Sequence, residues 1–157
     1  MDNPTHEQLQ PLAFLLGTWK GSGRGLYPTI ADFAYEEESV FTHTGRPFLV
    51  YSQRTWNPGT GQPMHAETGF LRALGNNRIE IVISHAFGIA EVGEGTVTGT
   101  LLETHSTAMS KTSSAKRVET VSRKIEVRDG SLHYAIGMQF GDHPLQDHLF
   151  AELAKRD

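Results

Sequence analysis

The stretch RVETVSRKIEVR-DG-SLHYAIGMQF, Arg117 to Phe140, holds two runs rich in β-branched and aromatic residues joined by Asp129-Gly130. Asp-Gly tolerates positive φ at both turn positions, which makes it a strong hairpin signal. The pair therefore predicts two antiparallel strands. The same rhythm extends upstream to Gly17. Runs of this kind cover Phe33 to Thr42, Pro47 to Trp56, Met64 to Leu71, Arg78 to Ser84, Ile89 to Val92 and Thr96 to Glu103. Between them stand Asn57-Pro58-Gly59, Gly75-Asn76-Asn77 and Gly93-Glu94-Gly95, all chemically suited to turns. About nine or ten short strands without helical crossovers predict an all-β, antiparallel sheet. A barrel is favoured over a sandwich, because closure removes exposed edges and a wide barrel can enclose one ligand.

Ahead of the strands, Thr5 and Gln8 have capping-box spacing and Pro11 limits the turn that follows, so short helical turns are expected between about Thr5 and Leu16. The 157 residues suit one domain, 1–157, large enough to bury a core unaided. There is no cysteine, which excludes disulfides, iron–sulfur clusters, thiolate zinc and thiolate-ligated or c-type haem. A net charge of −4 without a basic stripe argues against nucleic acid. No apolar run approaches the ~20 residues of a membrane span, and the N-terminal residues do not read as a signal peptide. The expected location is the cytoplasm.

The segment Gly17-Thr-Trp19-Lys-Gly21-Ser-Gly23-Arg-Gly25 is the most unusual. At strand period two its glycines and Trp19 share one nearly bare face, which either bends the strand at a barrel corner or admits a flat ligand. The structural alternative leads on physical grounds. Eight histidines are present, none in a zinc-protease spacing. Asp142-His143 and Asp147-His148 resemble a repeated ligand pair, but a separation of five puts them on opposite faces of a strand. Met64, His65, His85 and Met138 are unremarkable singly, Glu36-Glu37-Glu38 reads as a half-solvated strand, and no hydrolase motif stands out.

Six pieces resemble the nitrobindin family in order: the G-x-W-x-G-x-G of Gly17, Trp19, Gly21 and Gly23; Tyr27 to Ile30; Phe48 to Gln53; Pro63 to Glu67; Ser114-Ala115-Lys116; and Pro144-Leu145-x-x-His148-Leu149-x-Ala151-x-Leu153. The likeness runs from about Leu9 to Arg156. It implies a ten-stranded barrel similar to lipocalins and fatty-acid-binding proteins, with one haem b in the open end. His148 falls on the family's axial iron ligand. Thr29, Met64, His65, His85 and Met138 fall on pocket positions, with Lys116 as a propionate partner. The implied activity is nitric oxide binding and isomerisation of peroxynitrite to nitrate on ferric haem, protecting tyrosine from nitration. The implied partners are those small ligands, with a homodimer as the oligomeric alternative to a monomer. His85-Ala-Phe-Gly departs from the family's pattern, and His143 matches no fixed position. Around His148 the spacing fits either a helix or a strand; the resemblance favours a closing strand with His148 facing the cavity and Leu149, Ala151 and Leu153 opposite. Two further readings remain: a haem-free carrier of lipophilic ligands, and a nitric oxide sensor or store.

Overall fold

The computed structural model describes residues 3–156, so Met1, Asp2 and Asp157 of the expected domain lie outside the described residues. Ten antiparallel strands follow one another: β1 (Gly17–Tyr27), β2 (Ile30–His43), β3 (Phe48–Trp56), β4 (Pro63–Gly75), β5 (Arg78–His85), β6 (Ile89–Thr98), β7 (Leu101–Lys111), β8 (Val118–Arg128), β9 (Ser131–Phe140) and β10 (Gln146–Arg156). Each pairs with its neighbours in sequence, and β1 pairs with β10 to close the barrel. Side chains alternate between solvent and interior, as in β5, where Ile79, Ile81 and Ile83 are buried, and β9, where Leu132, Tyr134 and Ile136 are.

One end is plugged. The expected helical turns form a single 3₁₀ helix, Glu7–Leu15, running through Pro11. With three residues per turn, Leu9, Leu12 and Leu15 fall on one face, and all three are wholly buried against β3, β4 and β6. The Thr5–Gln8 capping box does not form: the N-cap is His6, whose Nδ1 accepts from the Gln8 N–H, while Thr5 bonds instead to His43. The Trp19 indole N–H donates to the Leu15 carbonyl at 2.8 Å and ties the plug to β1.

The hairpin at Asp129-Gly130 forms as expected, and Asn76-Asn77 makes an equivalent turn, each with positive φ at both positions. Gly93-Glu94-Gly95 is different. These residues lie inside β6, where a bulge at Val92/Gly93 and the missing side chains let β7 approach; a Cβ on Gly95 would stand 1.8 Å from the Glu103 carbonyl oxygen. The turn falls instead at Gly99-Thr100, and β7 continues to Lys111.

The glycine face of β1 is filled from across the strand. Gly23 pairs with Tyr35 and Gly25 with Phe33, and a Cβ on either would meet those rings at 2.3 and 2.1 Å. The bareness thus seats two aromatic rings of β2, which in turn line the cavity.

Candidate functional site

At the end opposite the plug the barrel encloses a cavity of about 560 Å³, within the range of small-molecule sites. Apolar groups dominate its walls: Ile30, Phe33, Met64, Ile89, Met138 and Phe140 among them. Of the expected site residues, Met64, His65, His85, Lys116, Met138 and His148 all line it. Thr29 does not. It sits exposed in the β1–β2 turn, between the lining residues Tyr27 and Ile30. Lys116 stands at the rim with its ammonium 4.7 Å from the centre of the Tyr27 ring.

His148 reaches the cavity through a local irregularity. The β9–β10 register shifts between Asp147 and Leu149, leaving His148 outside the ladder, and the β1–β2 register shifts between Gly25 and Tyr27, leaving Leu26 outside it. A bulge puts consecutive residues on one side. Leu149 therefore lines the cavity beside His148, and Ala151 and Leu153 are buried inside the barrel rather than facing away as expected. The two unladdered residues meet: His148 Nδ1–H donates to the Leu26 carbonyl at 2.7 Å. A carbonyl only accepts, so this bond fixes the proton on Nδ1 and leaves the Nε2 lone pair free. Phe140 and Tyr27 set their rings edgewise to the imidazole at 4.9 and 6.1 Å. Burial pushes the imidazole's pKa below its usual value, against the opposite pull of the Leu26 bond, and His65 adds to the lowering. The neutral, oriented ring is what metal ligation requires.

The opposite wall holds a network that the sequence reading missed. Arg123 (β8), 5% exposed, bonds to Glu67 (β4) at 2.9 and 3.1 Å and to Glu91 (β6) at 2.7 and 3.1 Å. His85 stands between the two carboxylates, Nδ1 3.0 Å from Glu67 and Nε2 2.9 Å from Glu91. His65 Nε2 lies 3.4 Å from Glu67, and the Tyr51 hydroxyl donates to Glu67 at 2.7 Å. Burial raises the pKa of Glu67, but Arg123, aided by His65 and His85, outweighs it and holds the group well below the carboxylate range. Glu91 is held down by the same balance. Beside this network, Glu37 is 1% exposed, not half-solvated, and accepts from Ser39 and Tyr134, with Tyr35 bonded to Tyr134 at 2.6 Å. Burial, offset in part by the Ser39 and Tyr134 bonds, pushes Glu37 up to about 7. The signal available in sequence was strand alternation: Glu37, Glu67, Glu91 and Arg123 share parity with buried neighbours such as Tyr35, Leu71 and Val121.

The residues fit a haem: an apolar chamber of suitable size, one imidazole with a free, oriented nitrogen, and a cation at the rim for a carboxylate.

Comparison with known proteins gives a consistent result. A family model described as "THAP4-like, heme-binding beta-barrel domain" matches residues 8–155. The chain is 44% identical over 160 residues to peroxynitrite isomerase 1 of Mycolicibacterium paratuberculosis, covering 99% of each chain. It is 42% identical to an Arabidopsis thaliana protein also named a peroxynitrite isomerase, covering 97% of this chain and 91% of that one. The crystal structure of Rv2717c from M. tuberculosis superposes with a TM-score of 0.94 at 40% identity, over 98% of this chain and 100% of that one.

Proposed function

The chain belongs to the THAP4-like, heme-binding β-barrel family, and from that premise we propose that it holds one haem b on His148 and isomerises peroxynitrite to nitrate. The observation that carries the ligand assignment is the Leu26–His148 bond, which presents a free imidazole nitrogen to the cavity. Bound there, ferric haem would supply a Lewis-acidic, redox-active centre for peroxynitrite.

The chain's own residues do the rest. The Leu26 carbonyl orients His148 and makes it a stronger donor. Met64, Ile89, Met138 and Phe140 exclude water and shape the cage around a small anion. Lys116 at the mouth attracts an anionic substrate and suits a propionate.

The test is kinetic and spectroscopic. Ferric holoprotein should accelerate peroxynitrite decay, with nitrate as the main product, and spare free tyrosine from nitration. Decay no faster than with the haem-free chain would leave nitric oxide storage as the role. Absence of a Soret band after hemin titration would leave a carrier of lipophilic ligands.

A further inference from the structure

On the wall opposite His148, His65, Glu67 and His85 bring one ligand atom each to within 4.8 Å of one another. From this geometry we infer that these three side chains form a second metal site, for a divalent first-row transition ion such as zinc. The site stands on its own residues and does not depend on haem being held by His148.

The separations match a coordination shell. Ligands at about 2.0–2.2 Å from a zinc ion lie roughly 3–3.5 Å from each other. His85 Nδ1 and His65 Nε2 lie 3.0 and 3.4 Å from the same Glu67 oxygen. The supporting shell is also present. A metal-ligating imidazole usually donates its other N–H to a carboxylate, and His85 Nε2 has Glu91 at 2.9 Å. Glu67 is fixed by Arg123 and Tyr51, so its position is set by the barrel rather than by the ion.

Charge supplies a separate reason. Glu67 and Glu91 are 6% and 0% exposed and share one guanidinium, so with neutral imidazoles the enclosed cluster carries one net negative charge. A buried, uncompensated charge is costly; a divalent cation among His65, Glu67 and His85 turns the one negative charge into one positive, and one small anion held on the ion brings the cluster to neutrality. Two imidazoles and one carboxylate suit zinc, iron or cobalt, and three protein ligands leave a coordination position for a small anion from the cavity. All three ligands line that cavity. The rival occupant is a proton on His85, since carboxylate oxygens only accept and both ring nitrogens face one.

Calorimetric titration of the full-length, haem-free chain with zinc at neutral pH should show one ion per chain. His65→Ala should abolish tight binding, and Glu91→Gln should weaken it about 10–100-fold. His105→Ala, on the outer surface, and His148→Ala should bind zinc as the parent does; the second keeps the outcome separate from the haem assignment. Circular dichroism identifies variants that have not folded. Crystals of the unaltered chain soaked in zinc give a readout that needs no variant: an anomalous peak bounded by His65, Glu67 and His85 supports the site. No bound zinc, a peak elsewhere, or unchanged affinity in folded His65→Ala overturns it, and the missing cation is then the proton.

Discussion

Arg123→Met is the most informative change to the barrel interior. The guanidinium makes four hydrogen bonds to two carboxylates that have almost no access to solvent. Methionine fills much of the space but leaves Glu67 and Glu91 facing each other. Removing one partner of a buried charge pair costs about 3–5 kcal/mol. For a chain of this size each kcal/mol lowers the melting temperature by about 2–4 °C, so the expected drop is roughly 6–20 °C. Thermal melting of the haem-free chain, followed by circular dichroism with a chelator present, measures it. The pH dependence has a definite sign. Arg123 depresses the native pKa of Glu67, so its stabilisation is present above the unfolded carboxylate pKa and is lost as pH falls through the native value. The gap between parent and variant should be widest at neutral pH and close in acid. Adding Glu67→Gln and Glu91→Gln to Arg123→Met should restore most of the stability. A loss under about 1 kcal/mol, or a gap that does not change with pH, would refute the view of Arg123 as the counter-charge of this wall.

His148→Ala should fold normally yet bind hemin at least about tenfold more weakly, a loss of roughly 1.4 kcal/mol or more, with a displaced Soret band. His65→Ala and His85→Ala should keep hemin; the opposite pattern in titrations would place the axial ligand on the other wall. Gly23→Val drives a methyl-bearing Cβ into the Tyr35 ring and should cost about 1–3 kcal/mol in denaturant unfolding, and normal stability would show that the ring moves freely. Glu37 has a native pKa raised to about 7 from 4.5, so the folded state holds its proton longer than the unfolded one and stability falls as pH rises between those values. At ~1.36 kcal/mol per unit the loss is roughly 3 kcal/mol, and Glu37→Gln should flatten that part of the stability–pH curve.

The architecture was legible wherever turn chemistry was local. Asp129-Gly130 and Asn76-Asn77 each carry the positive φ that a tight hairpin needs, and both were placed correctly. Gly93 and Gly95 misled because glycine serves close strand approach as well as turns, and only the position of β7 decides which. His65, His85 and His148 were found by resemblance, and spacing alone gave no reason to group them. Leu26 could not have been found, because its role is that of a carbonyl with no side-chain signature. Arg123 and its two carboxylates were overlooked because charged residues on a strand read as its wet face. Their partners lie 32 and 56 residues away in the chain and meet only once the barrel closes.

The imidazole and the carbonyl that aims it come from the first and last strands of the barrel, 122 residues apart, across the pair that completes the ring. With His148 as the proposed iron ligand, a nascent chain would have no preformed ligand until β10 has been synthesised and has paired with β1. On that assignment haem capture would report on the final strand pairing, not on the early ones. The same seam would offer a route for release, since parting a few residues near Leu26 and Leu149 would free the proposed ligand and open the wall while β2 to β9 stay paired. Exchange of haem with an acceptor can then proceed on the timescale of local opening, and amide exchange along Gly23 to Tyr27 should track the rate at which the cofactor leaves.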